Sequence, residues 1–285
     1  MKKAHSFNIP KTPANALIVQ EDHGSRFYDR LHLHEEIQLS CILEGRGKLL
    51  VADSVHSYSS GDIFVIGSQC PHVFRSDEEQ GTSHMISIFF TRYSFGPEFF
   101  MIPEMQSLSA FFAASEQGIQ LKSNKETIRK HCEQILSANR FDRFLLFLKL
   151  LKRISQSDQL PLCGLSYPKK ISTTAGDRMG LIFDYVMHNF QQEITLADIS
   201  EKAFMTPEAF CRFFKKRTNK TFFQFLIELR IEHACQLLAS EGSLSISEIA
   251  DNSGFRSISN FNRMFKKLKG LTPTAYSHNL RSRSL

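Results

Sequence analysis

Residues 210–216, Phe210-Cys211-Arg212-Phe213-Phe214-Lys215-Lys216, fall on Phe261-Asn262-Arg263-Met264-Phe265-Lys266-Lys267 when the chain is slid against itself by 51 positions. The pattern F-x-R-x-F-K-K is therefore written twice, and Asn219 falls on Gly270, Thr221 on Thr272 and Phe225 on Tyr276. Upstream, at an offset of 50, Thr195-Leu196-Ala197-Asp198-Ile199 falls on Ser245-Ile246-Ser247-Glu248-Ile249, so the turn gains one residue between copies. Such a repeat restricts the region to one supersecondary unit built twice: a short helix, a brief turn, and an amphipathic helix that buries Phe210 with Phe214, or Phe261 with Phe265, one turn apart.

Helix signals agree with this reading. Thr206-Pro207-Glu208 can cap free amides, fit the first turn and favour the positive dipole end, and Ser257 can cap the second unit. Gly254 suits a left-handed turn residue. Phe222 to Ala239 holds neither Gly nor Pro and predicts one long connecting helix. Helix, tight turn and second helix make the shape that lays one helix in a major groove, and a rigid connector would let two units read faces about 34 Å apart. From Thr206 onward there are 13 Lys and Arg against 6 Asp and Glu, a net +7 against +6 for the whole chain, so the rest is slightly acidic. Lysines near phosphates give salt-dependent affinity, whereas Arg and amide side chains can discriminate bases. Double-stranded DNA is the expected partner.

From Met179 to about Leu280 the chain resembles the AraC/XylS family of bacterial transcription regulators, most specifically in Ser245 to Ala250, Ser253-Gly254-Phe255, the second F-x-R-x-F-K-K, Gly270 and Thr272-Pro273-Thr274-Ala275-Tyr276. The resemblance implies base readers at Glu208, Cys211 and Arg212 in the first unit and at Ser259, Asn260 and Arg263 in the second, with Ser257 at the same helix start. It implies phosphate contacts at Lys215, Lys216, Lys266 and Lys267. Glu208 and Cys211 depart from good readers, since a carboxylate beside phosphate can accept only from a cytosine amino group. The first unit then either reads few bases or mainly positions the second.

The N-terminal part reads differently. Short apolar or alternating runs at 37–43, 48–51, 62–66 and 85–90 are separated by turn material such as Glu44-Gly45-Arg46-Gly47, which predicts an all-β sandwich or small barrel over about 15–95. Apolar residues then recur at helical spacing in Ile128, Cys132, Ile135 and Leu136 and in Phe144 to Leu151, so two helices are expected within 104–155. Residues 156–177 hold Pro, Gly and small polar residues without a period and read as a linker, with a second domain from 178 to 285. The fold class expected is thus α+β and multidomain: a sensing and dimerisation domain over 1–155 with a barrel and trailing helices, then an all-α double helix-turn-helix. Hydrophobic residues at 42% and charged residues at 22% exclude a disordered chain. Six scattered cysteines without CxxC spacing, and no signal-peptide or membrane-length apolar run, point to a cytoplasmic protein with no membrane partner.

His32-Leu33-His34, Gln38 four residues on and Gly45 seven further, then Gly61 followed at eleven by His72, resemble the two cupin motifs. The resemblance places His32, His34, Gln38 and His72 together inside the barrel. Gln38 stands where Glu is usual, and Gly67 and Gln69 replace a Pro and a Gly. Three imidazoles and an amide oxygen could hold a divalent transition metal, or the imidazoles could hydrogen-bond a small polar effector such as a sugar. The expectation is a ligand-responsive, non-enzymatic regulator that uses no cofactor and acts as a homodimer. Two alternatives stand beside it: a metal-dependent cupin enzyme with a DNA-binding appendage, and a constitutive DNA-binding protein. An amphipathic stripe that could pack on its own barrel does not separate dimer from monomer.

Overall fold

Seven strands are laid down before residue 91 in the computed structural model, which describes residues 16–77, 81–164, 173–239 and 244–282. They are β1 (Ile18–Gly24), β2 (Ile37–Glu44), β3 (Gly47–Val51), β4 (Ser54–Tyr58), β5 (Ile63–Ile66), β6 (His72–Ser76) and β7 (Ser83–Phe90). Two short 3-10 helices, Phe99–Met101 and Pro103–Leu108, lead into α1 (Ser109–Ser115), then β8 (Ile119–Leu121), α2 (Lys125–Ser137), α3 (Arg140–Ser155) and β9 (Gln159–Pro161). The strands form a six-stranded sheet in the order β1-β7-β2-β5-β8-β9 and a three-stranded sheet β4-β3-β6.

β2 shows how sequence chemistry sorts the faces. It is buried on both sides, so its alternation is polar against apolar rather than exposed against buried. Leu39 and Cys41 join Ile63, Val65, Ile86 and Ile88 against Ile128, Cys132 and Ile135 of α2 and Phe147, Leu150 and Leu151 of α3. Ile42 turns with Phe64, Ile66, Leu49, Val51 and Phe74 into a second core. Gln38 and Ser40 lie two apart on β2, and Ser40 pairs with Ser87 of β7, which assembles a polar row inside a buried sheet.

Two expectations need correction here. The expected barrel stopped near residue 95, yet β8 pairs with β5 through Val65↔Ile119, and β9 pairs with β8. The region expected as linker, 156–177, contains β9 and the first residues of α4 (Thr173–Asn189). Leu162 and Cys163 are buried in the barrel core, and their amides donate to the carbonyls of Gly118 and Gln117, so burial recruited a segment whose composition reads as loop. Residues 165–172 of that expected linker lie outside the described residues.

The chain parts into two compact units, the second made of the residues from Thr173 onward together with Asp53–Ser57. After α4 the second unit runs α5 (Leu196–Lys202), α6 (Pro207–Thr218), α7 (Phe222–Ala239), α8 (Ile246–Asn252), α9 (Ile258–Lys269) and α10 (Pro273–Arg281). The connector α7 serves both copies of the repeat. Phe222 and Phe225 meet Phe214 at ring distances of 5.6 and 5.7 Å, while Ile231, Ala234, Cys235 and Leu238 pack with Phe255, Phe261 and Phe265.

Candidate functional site

The two copies are built alike down to single hydrogen bonds. At the end of α5 the amides of Ala203, Phe204 and Met205 donate to the carbonyls of Ile199, Glu201 and Ser200; at the end of α8 Ser253, Gly254 and Phe255 donate to Ile249, Asp251 and Ala250. Phe204 and Gly254 both take left-handed backbone, at φ 55° and 82°. Thr195 and Ser245 each form a reciprocal capping box, with Asp198 and Glu248. Thr206 accepts from the Ala209 amide to start α6, and Ser257 from the Asn260 amide to start α9. Asn219 and Gly270 end those helices in the left-handed region.

With the phenylalanines turned inward, the opposite face of each second helix is solvent-exposed. Glu208, Cys211, Arg212, Lys215 and Lys216 are exposed on α6, as are Ser259, Asn260, Arg263, Lys266 and Lys267 on α9 and Ser257 at its cap. Arg263 Nη2 donates to Asn260 Oδ1 at 2.9 Å, which holds an amide and a guanidinium side by side one turn apart. Glu208 sits in the first turn of α6, where the helix dipole favours a carboxylate.

The barrel brings its four expected residues together. An antiparallel bridge joins His32 to His72, and the ring centroids lie 4.3 Å apart for His32 and His72 and 5.0 Å for His34 and His72. Gln38 Oε1 is 3.0 Å from His34 Nε2 and 2.9 Å from His72 Nε2. Each Nδ1 meets a backbone carbonyl: Arg30 for His32, Glu36 for His34 and Cys70 for His72. Burial lowers the His32 pKa to about 4 despite the Arg30 carbonyl, and burial beside two further imidazoles holds His72 well below its ordinary value. Both shifts favour the neutral ring. Gln69 takes φ 58° in the turn before His72, the conformation for which a glycine is the ordinary choice, so the departure at this position keeps the turn and costs strain.

Comparison with known proteins matches residues 199–279 to a helix-turn-helix domain family and residues 13–90 to the AraC-like ligand binding domain. The chain belongs to the AraC family of transcription regulators. As such it is a DNA-binding regulator with a ligand-binding N-terminal domain. The probable transcriptional regulator LumQ of Photobacterium leiognathi is 26% identical over 252 residues, 88% of this chain and 92% of that protein. The activator RhaR of Mannheimia succiniciproducens is 23% identical over 86% of both chains. The melibiose operon regulatory protein of Escherichia coli K12 is 23% identical over 86% of this chain and 82% of its own length. These relatives are named as regulators, which does not favour the metal-dependent enzyme. Among the described residues no helix is long and apolar enough to cross a membrane.

Two residues of this AraC-family chain escaped sequence reasoning. Arg230 of α7 donates from Nε and Nη2 to the Phe190 and Gln192 carbonyls at 2.7 Å, tying the end of α4 to the connector. Ser87 joins Ser40 as a partner of the Gln38 amide, 49 residues away in sequence, and only strand register brings it there. The cupin resemblance also implies a metal, and the donor set fits one. One ring nitrogen from each of His32, His34 and His72 lies within 4.8 Å of the others, and neutral imidazole with an amide oxygen suits a divalent transition ion.

Proposed function

We propose that this protein is a cytoplasmic, homodimeric, non-enzymatic regulator that reads double-stranded DNA with α9, anchors on it with α6, and changes its occupancy when a small polar effector reaches His32, His34, Gln38 and His72. The observation that carries the DNA reading is the pair of equally capped helices, each burying two phenylalanines and exposing an Arg with a Lys pair. In the second unit, Asn260 and Arg263 read base edges, with Ser257 and Ser259 at the helix start; Lys266 and Lys267 neutralise phosphates. Glu208, Cys211 and Arg212 contribute less base discrimination, and Lys215 and Lys216 hold the backbone.

The melibiose operon regulatory protein is named for a sugar operon, which supports a sugar as the effector class. Effector binding must favour one arrangement of the DNA-binding units by its differential affinity for the two, since equal affinity shifts nothing. The test selects genomic fragments with the full-length protein at fixed salt, with Arg263→Ala as control. A short recurrent motif lost in the control is expected; fragments without a motif, held equally by both proteins, would refute the reading.

A further inference from the structure

The corner of the second helix-turn-helix is packed and the corner of the first is open, a difference that the doubled sequence does not account for. A Cβ at Gly254 would stand 2.8 Å from the Phe190 and Gln191 carbonyl oxygens, whereas Phe204, at the same place in the first repeat, is 78% exposed. What fills the second corner is the segment Phe190-Gln191-Gln192-Glu193, between α4 and α5. Both neighbours of that segment belong with the first repeat. On one side α4 places Phe183 against Phe214 and Phe225, at ring distances of 6.3 and 5.2 Å, and on the other α5 is the opening helix of the first motif.

From there the segment reaches across to the second repeat. Gln191 Nε2 donates to the Asn252 carbonyl at the end of α8, at 2.9 Å. Arg256, one residue before the Ser257 cap of α9, donates from Nη2 to Glu193 Oε2. The shared connector grips the same stretch, because Arg230 holds the Phe190 and Gln192 carbonyls and the His233 ring lies 5.1 Å from that of Phe190. Burial, and then the charge of Arg256, lower the Arg230 pKa, so two guanidinium groups share this corner and the Glu193 carboxylate offsets their repulsion.

The two repeats are thus joined twice, by α7 and by this strut beside it. A single helix between two bodies can curve and twist, and a second link away from its axis removes that freedom. On B-DNA one turn of 10–10.5 base pairs advances about 34–36 Å, so each base pair turns the groove by about 34–36°. Two reading helices held at one angle therefore match one spacing and miss its neighbours. We propose that Gln191 and Glu193 are positioning residues that fix the angle between α6 and α9, and so select the number of base pairs separating the two DNA segments that the protein engages. The proposal rests on the reading that both helices engage the duplex. Gln191, Glu193 and Arg256 are exposed, and an exposed ion pair contributes little to folding, so their replacement alters geometry before stability.

The test takes a DNA fragment selected by the full-length protein and inserts or removes one base pair between the two protected segments. The segments are assigned to α6 and α9 by the protection lost in Lys215→Ala with Lys216→Ala and in Lys266→Ala with Lys267→Ala. Affinity for each spacing is read by fluorescence anisotropy at fixed salt, and folding by circular dichroism. The wild type should bind the altered spacings roughly 10–100-fold more weakly, the range for one lost base contact. Gln191→Ala with Glu193→Ala should stay within roughly 3-fold on the natural spacing and recover roughly 3–10-fold of the loss on the altered ones, as expected for removing one hydrogen bond and one exposed pair. Glu193→Arg alone should relax the preference, and Glu193→Arg combined with Arg256→Glu should restore it. A double variant with the wild-type preference, equal weakening on every spacing, or a charge exchange that restores nothing would overturn the proposal. A wild type indifferent to spacing would overturn it as well, while a footprint from α9 alone would remove the two-headed reading beneath it.

Discussion

Replacing the residue at one corner of each helix-turn-helix should have opposite effects in the two copies. Gly254 takes φ 82°, and a Cβ built there would stand 2.8 Å from the Gln191 and Phe190 carbonyl oxygens and 2.9 Å from Arg230 Nε. Gly254→Ala therefore adds a left-handed penalty of about 1–2 kcal/mol to a steric term of about 1–3 kcal/mol, because backbone carbonyls held by Arg230 yield poorly. The expected loss is about 2–5 kcal/mol. Phe204 occupies the matching corner at φ 55° and is 78% exposed, so it already bears the conformational penalty and packs little. Phe204→Gly should relieve about 1–2 kcal/mol and return about 0.5–1 kcal/mol as unfolded-chain entropy, a small net gain. Gly180 lies within α4 with nothing within 4 Å of a built Cβ, so Gly180→Ala is a control expected to stabilise by about 0.5–1 kcal/mol. A chain of two units does not unfold as one transition, so hydrogen exchange read separately over α8–α9 and α2–α3 is the suitable assay. A loss below about 1 kcal/mol in Gly254→Ala would show that neither the close approach nor the backbone angle demands glycine there, and would refute the reasoning.

Three further outcomes follow from the same geometry. Lys266→Ala should weaken binding to all DNA sequences alike and lower the salt slope by about 0.9, whereas Arg263→Ala should cost about 1–3 kcal/mol on the preferred site and little elsewhere; fluorescence titration over a salt series distinguishes them. Cys211 is the exposed cysteine of the six, and burial pushes the Cys235 thiol to about 12, so limited alkylation followed by mass spectrometry should label Cys211 first and Cys235 only after unfolding. The backbone and hydroxyl hydrogen bonds of the capping boxes hold Asp198 and Glu248 below their ordinary values of 3.8 and 4.5. Since the folded values are the lower ones, this stabilisation is present above the ordinary values and is lost as pH falls through the depressed ones, which carboxyl NMR titration with Asp198→Asn and Glu248→Gln as references will check.

The helix-turn-helix unit was legible because its determinants are local. Caps, the glycine corner and phenylalanines one turn apart act within a few residues, and a second copy at an offset of 51 supplied the context that a single motif lacks. Even there the sequence did not show that Phe204 would adopt the backbone of Gly254, since a packed neighbourhood can hold a residue against its own preference. In the barrel, motif spacing named His32, His34, Gln38 and His72, but not the Ser40 and Ser87 hydroxyls that meet the Gln38 amide or the Arg30, Glu36 and Cys70 carbonyls that meet the three imidazoles.

The sequence alone determined the two-part class, the doubled DNA-binding unit, its exposed basic faces and the identity of the histidine cluster. Tertiary structure decided that β8 and β9 return to the sheet, that Leu162 and Cys163 belong to a core and that Arg230 braces the Gly254 corner. The division is one of range: periodicity and capping are short-range and leave marks in composition, whereas strand register and buried side-chain hydrogen bonds arise only when distant segments share one buried volume.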